Sequence, residues 1–258
     1  MPDFPRRLAS LPVRSTVLVQ GASRGIGLGL VKALLQDDAE FSVIATCRDP
    51  GSAESLTALD CDRLSILPLD VTEPCRIEAL AGDLKARGVR LSLVINAAGV
   101  LHGEGFGPEK KLEDLDLAAL EKVFAVNTFG PALLLRALRP LMGREGKTVF
   151  AVISARVGSI SDNRLGGWYA YRASKAALNQ IVRTAGIEFA RRNKNAIVAA
   201  LHPGTTDTGL SAPFQANVPT EKLFSVEQTC EYLLRVIDGL SAEDSGGFFA
   251  WDGKLIDW

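Results

Sequence analysis

Tyr171 and Lys175 stand four residues apart in the stretch Tyr171-Arg172-Ala173-Ser174-Lys175. On a helix, side chains at that spacing share a face, with Cβ atoms about 5–6 Å apart. A phenol has an ordinary pKa of about 10, too high for efficient proton exchange near neutrality. Bringing it down by about three units takes roughly 4 kcal/mol of preference for the phenolate. A cation at ~4 Å in a partly dry site supplies about that much at an effective dielectric near 20. The pair is therefore expected to exchange protons at pH 7, with the lysine lowering the tyrosine's pKa. The spacing alone also fits a solvated helix face, and the other motifs decide between the two.

Elements must hold that pair in place. Short β-branched runs alternate with longer amphipathic segments, the pattern of βαβ units on a parallel sheet. The expected strands are 16–20, 41–47, 64–69, 91–96, 148–153, 196–201 and 248–251, and the expected helices are 26–36, 73–87, 115–124, 131–142, 169–192 and 226–240. Residues 148–153 are almost wholly apolar, as for a central strand buried on both faces. No repeat or linker divides the chain, so residues 1–258 are expected to form one domain. Two stretches are irregular. Residues 102–111 carry three glycines and a proline and fit a surface loop, whereas 205–224 is long for a plain connection and is expected to cover a substrate.

Composition narrows the classes. The chain has 258 residues, 47% apolar and 23% charged, with a net charge of −1, which gives no footprint for nucleic acid or an anionic membrane. No apolar run approaches the length that spans a bilayer, and the first fifteen residues carry no targeting signal. Cys47, Cys61, Cys75 and Cys230 are scattered, with no Cys-x-x-Cys, so neither a metal site nor a disulfide framework is expected, and a cytoplasmic location is the default. Two histidines and no Gly-x-Ser-x-Gly leave a hydrolase triad poorly supported.

The first expected strand runs into Gly21-Ala22-Ser23-Arg24-Gly25-Ile26-Gly27 and then a helix. Strand, glycine turn and helix N-terminus make an anion site: backbone approaches the phosphates closely, and free N–H groups with the helix dipole favour negative charge. The end of the second strand selects the nucleotide. An acid there binds a ribose 2′-hydroxyl, and an arginine suits a 2′-phosphate. This chain has Cys47 followed by Arg48, with Arg24 inside the glycine loop, which points to NADP(H). Asp49 dilutes that signal slightly.

Taken together these residues resemble the short-chain dehydrogenase/reductase family. The likeness runs nearly end to end: Gly21-x-x-x-Gly25-x-Gly27, Asp70-Val71, Asn96-Ala97-Ala98-Gly99, Asn127 in Val126-Asn127-Thr128, Tyr171-x-x-x-Lys175, and Pro203-Gly204-x-x-x-Thr208. Ser154 to Ser159 and Trp251-Asp252-Gly253 look like its C-factor or sniffer-type carbonyl reductase subgroup. The resemblance implies a Rossmann-like, doubly wound parallel sheet of about seven strands with helices on both faces. It implies that Gly21, Ser23, Arg24, Gly25, Ile26, Gly27 and Arg48 meet the phosphates, and that Asp70 and Val71 lie near the adenine. Asn96, Ala97 and Gly99 would border the adenosine ribose, Lys175 would hold the nicotinamide ribose, and Pro203, Gly204 and Thr208 would seat the carboxamide. Tyr171 would move the proton, and Asn127 would keep a water in a relay behind Lys175. It further implies a carbonyl or alcohol substrate and a homodimer or homotetramer.

One position departs from the family. Its substrate-binding serine corresponds to Ala155, with Ser154 one residue earlier and Ser159 just after Gly158. Ser154 is the expected substitute, and Ser159 or a weakened oxyanion role are the alternatives. A rival reading follows from the same gap: an NADP(H)-binding signalling or sensor protein with little turnover.

Overall fold

The computed structural model describes residues 7–216 and 218–258; part of the N-terminal stretch considered above lies outside them. Seven strands form one parallel sheet: β1 (Thr16–Gln20), β2 (Ser42–Cys47), β3 (Leu64–Pro68), β4 (Leu91–Asn96), β5 (Thr148–Ile153), β6 (Ala196–His202) and β9 (Gly247–Ala250). Their order is β3-β2-β1-β4-β5-β6-β9. The order reverses between β1 and β4, the switch point where a crevice opens at the strand C-termini. Two short strands, β7 (Thr205–Thr206) and β8 (Leu223–Phe224), pair in parallel and pinch the base of the expected substrate loop.

Among the described residues seven α-helices accompany the strands: α1 (Gly25–Leu35), the single turn α2 (Glu54–Thr57), α3 (Pro74–Ala86), α4 (Leu117–Phe124), α5 (Gly130–Leu138), α6 (Tyr169–Arg192) and α7 (Val226–Gly239). Alternation along the strands sends Val17 and Val19 to one face and Leu18 to the other, so each face has its own apolar core. One core takes α1 and α7 through Leu30, Leu34, Leu233 and Ile237; the other takes α3, α5 and α6 through Ile77, Leu134 and Val182. Truncating a fully buried member such as Phe150 to alanine is expected to cost about 3–5 kcal/mol. The doubly wound α/β architecture is therefore as expected.

One expectation about helices is corrected. Segments 115–124 and 131–142 are not separate: α4 and α5 join through a π turn, Ala125–Phe129, with every residue at the junctions in right-handed helical geometry. Asn127-Thr128-Phe129-Gly130 looks like a break in sequence, yet Asn127 and Thr128 are buried partners of the neighbouring α6. The joined rod, Leu117–Leu141, has 25 residues and contains an 18-residue stretch of mean hydropathy 1.3, enough by length and composition alone to cross a membrane. Here Leu134, Leu135, Leu138 and Leu141 of that rod pack into the core.

Candidate active site

The glycine loop is set by close approach. Gly21 and Ala22 both donate to the Thr46 carbonyl, at 2.9 and 3.0 Å, anchoring the loop to β2. A Cβ on Gly27 would lie 2.1 Å from the Gly21 carbonyl oxygen, and one on Gly21, whose φ is +82°, would lie 2.6 Å from Ala98 N. No side chain can occupy either place. The first turn of α1 has no side-chain cap and no acidic residue, which leaves its N–H groups to an anion. Arg24 and Arg48 are exposed, and neither forms an ion pair with a described residue. Asp49, the diluting acid, turns its Oδ1 to Gly51 N at 2.9 Å and caps a short turn. Cys47 is buried, and burial pushes its thiol pKa up, so a neutral group stands where a ribose-binding acid would be. Cradle, open helix end and free guanidinium groups fit a phosphorylated dinucleotide.

Next along the sheet edge, Asn96 donates to Gln20 Oε1 at 2.8 Å, and Ala98 N donates to the same oxygen at 3.3 Å. Gln20 thus fixes the turn Asn96-Ala97-Ala98-Gly99, a role the sequence reading missed. Asp70 Oδ1 is taken by Thr72, through N at 2.9 Å and Oγ1 at 2.7 Å, so one of its oxygens serves the turn after β3. Val71 packs against Gly130 at the end of the π turn.

Helix α6 carries the remaining chemistry. Its buried stripe begins polar, with Tyr171, Ser174, Lys175 and Asn179, and becomes apolar toward Val182 and Phe189. Lys175 Nζ donates to the Ile153 carbonyl at 2.8 Å and sits 5.8 Å from the Tyr171 ring centroid. The Tyr171 hydroxyl makes no hydrogen bond to a described residue. A Cβ on Gly99 would lie 3.6 Å from Asn127 Oδ1 and 3.8 Å from Lys175 Nζ, so the three share one corner. Asn127 is committed to structure: Oδ1 accepts from Val100 N at 2.8 Å, while Nδ2 donates to the Val100 carbonyl at 2.8 Å and to Ser174 Oγ at 3.1 Å. A Cβ on Gly25 would lie 3.4 Å from Thr208 Cγ2, which brings the segment after Pro203 and Gly204 against the phosphate loop.

The expected electrostatics are reversed. Burial raises the Tyr171 pKa to about 12 and lowers that of Lys175 to about 7. Both groups have been taken out of water, and desolvation disfavours the charged form of each. The lysine's partner is a neutral carbonyl, and the lysine does not hold the phenol near neutrality as the sequence suggested.

Both candidate serines are engaged within the protein. Ser154 is 2% exposed and its Oγ donates to Asn179 Oδ1 at 2.7 Å, so its proton is engaged inside the protein. Alternation through the extended Ala155 sends that half-buried residue to the opposite side. Ser159 is 1% exposed, accepts from Asp162 N at 3.2 Å and lies 3.3 Å from Ser161 Oγ. The Ser154 proton is held by Asn179, and Ser159 Oγ is turned to Ser161 and Asp162.

Beside Tyr171 stands an aromatic wall. The Trp168 ring lies 6.2 Å from that of Tyr171 and 4.9 Å from that of Phe214, which lies 5.8 Å from His102. His102 was not expected from sequence, because its partner belongs to a loop more than a hundred residues away.

Comparison with known proteins agrees with this geometry. A family profile described as short chain dehydrogenase matches residues 15–219. A 1-hydroxy-2-glutathionyl-2-methyl-3-butene dehydrogenase from a Rhodococcus strain is 34% identical, over 95% of this chain and all of that protein. The C-signal protein of Myxococcus xanthus is 34% identical over 65% of this chain and 93% of its own length. An NADPH-bound carbonyl reductase from chicken fatty liver superposes with a TM-score of 0.86 at 35% identity, covering 96% of this chain and all of that one.

Proposed function

This chain belongs to the short-chain dehydrogenase family, and we propose that within it the protein is an NADP(H)-dependent carbonyl reductase, or the reverse alcohol dehydrogenase. The observation that carries the reading is the Tyr171–Lys175 pair at the sheet edge, beside Gly99 and Asn127. Arg24, Arg48 and the open start of α1 would hold the phosphates, Gly99 would border the adenosine ribose, and Lys175 and Thr208 would line the nicotinamide end. Bound there, NADP(H) supplies or accepts the hydride.

The chain's own part is the proton and the fit. A phenol with a pKa of about 12 stays protonated at neutral pH, so Tyr171 donates a hydrogen bond to a carbonyl oxygen and gives up its proton as negative charge develops there. Lys175, charged below about 7, steadies the phenolate that results. This favours the reductive direction. With Ser154 held by Asn179, Tyr171 is the group that binds the substrate oxygen, and Ser154 braces β5 against α6. Trp168, Phe214, His102 and Leu210 suit an aliphatic or aryl aldehyde or ketone, covered by residues 205–224. Phe129 and Ile187, 55% and 46% exposed on the rod and on α6, are the faces a homodimer or homotetramer would bury. Four free cysteines suit a reducing cytoplasm.

The test is NADPH oxidation followed at 340 nm against aryl and alkyl aldehydes, ketones and quinones, with NADH in parallel. Turnover with NADPH on at least one class is expected. A second reading, a dinucleotide-dependent signalling protein, draws on Ala155 at the serine position and on the likeness to C-signal. NADPH binding without turnover on any carbonyl selects it.

A further inference from the structure

Loop 102–111 does more than cross the surface. Glu109 is only 5% exposed, and no described lysine or arginine forms an ion pair with it. Its Oε2 accepts the N–H of Ala170, 61 residues away, at 3.2 Å, and its backbone carbonyl accepts the N–H of Trp168 at 2.6 Å. These are the cap and the second residue of α6, and Tyr171 is the next.

The start of α6 cannot cap itself. Gly166, Gly167 and Trp168 enter it with successive φ of 65°, 64° and 55°, and Trp168 offers no side-chain cap. A left-handed residue other than glycine costs about 1–2 kcal/mol, so an outside contact has to hold this turn. An acidic side chain at a helix N-terminus satisfies an orphan N–H and complements the dipole. Glu109 makes that contact from a distant loop.

The same turn reaches the substrate loop. Trp168 packs on Phe214, Phe214 on His102, and His102 Nε2 lies 3.2 Å from the Leu210 carbonyl. His102 belongs to the loop that carries Glu109, so the circuit closes on itself. Loop 102–111 is fastened to both the helix that aims the phenol and the segment that covers it.

We propose that Glu109 is a positioning residue: acting through the first turn of α6, it sets the Tyr171 hydroxyl and the Trp168–Phe214 wall. The proposal rests on Tyr171 being the proton-transferring group. It assigns Glu109 no contact with the glycine loop, so NADPH binding should not depend on it.

The experiment compares full-length wild type, Glu109→Ala and Glu109→Gln by hydrogen exchange across residues 166–172, NADPH affinity, and kcat and KM for the best carbonyl. Glu109→Ala is expected to speed exchange there at least tenfold and to lower kcat at least tenfold, with NADPH affinity within twofold of wild type. Glu109→Gln keeps an acceptor oxygen and should restore most of kcat, which general destabilisation would not produce. If Glu109→Ala does not fold, Glu109→Asp, one methylene short, takes its place with the same expectations. Unchanged exchange, or faster exchange with unchanged kcat, overturns the proposal, as does Glu109→Gln being as impaired as Glu109→Ala. A wild type that binds NADPH and reduces nothing sinks the Tyr171 reading and the positioning role with it, even where the exchange data bear out the cap.

Discussion

The two ends of this crevice handle charge in opposite ways. At the glycine loop, Arg24 and Arg48 are exposed and unpaired among the described residues, and the rest of the cradle is backbone. At the other end, Lys175 and Tyr171 are 2% and 8% exposed, and burial pushes each toward its neutral form. Exposed guanidinium groups suit recognition, because a phosphate meets them without first breaking a protein contact. Buried groups suit chemistry, because their protonation is set by the surroundings and small changes there are felt strongly. One end should therefore govern which dinucleotide binds, and the other how turnover responds to pH.

Separate substitutions at each end can break that division. Tyr171→Phe is expected to lower reductive turnover by about 10²–10⁴-fold, the range for a general acid, with NADPH affinity nearly unchanged. A comparable loss of affinity would mean that the ends are not separable. Next in size is the double change Arg24→Ala with Arg48→Ala. Losing hydrogen bonds to a charged group, about 1.5–3 kcal/mol, should weaken NADPH by roughly 10–100-fold while NADH binding barely moves. Equal losses for both cofactors, measured by titration, would remove the arginines from 2′-phosphate recognition.

Smaller effects sharpen the catalytic end. Ser154→Ala leaves the Asn179 oxygen without its donor and should cost about 1–3 kcal/mol in urea denaturation, with kcat changed less than about threefold. Ala155→Ser should raise kcat severalfold; a hundredfold fall in Ser154→Ala would instead restore the original expectation for that serine. The smallest signal is linkage. Lys175 has a pKa of about 7 folded and 10.5 as its ordinary value, so between these the unfolded chain binds more protons and stability rises with pH. The slope is at most about 1.4 kcal/mol per pH unit. Comparing denaturation at pH 7 and 9 should find it reduced in Lys175→Met. Tyr171 acts only above its ordinary 10 and leaves this window untouched.

The sequence was most legible where local rules suffice. β1, β4 and β5 begin and end where expected, because β-branched runs meet turn residues there. The glycine loop was readable because Gly27 excludes a side chain by contact with Gly21 six residues earlier, and Gly21 itself holds a φ of +82°. What could not be read depends on partners far along the chain. Glu109 meets Ala170, His102 meets Leu210, and Ser154 meets Asn179; no periodicity encodes such pairs. The Tyr171–Lys175 spacing gave the neighbours correctly and their charge balance wrongly, because burial outweighs proximity and spacing does not report burial. Joining α4 to α5 through Asn127 is a similar case: the π turn answers to α6, not to local propensity.

The most direct test of a buried phenol supported by a neutral-range lysine is the pH dependence of reductive kcat/KM for the carbonyl from pH 6 to 9, in wild type and Lys175→Met. Wild-type activity is predicted to fall tenfold per unit above about 7, as Lys175 loses its proton, and the variant to be slower and flat. Activity that rises with pH, or the same fall in Lys175→Met, would contradict the account.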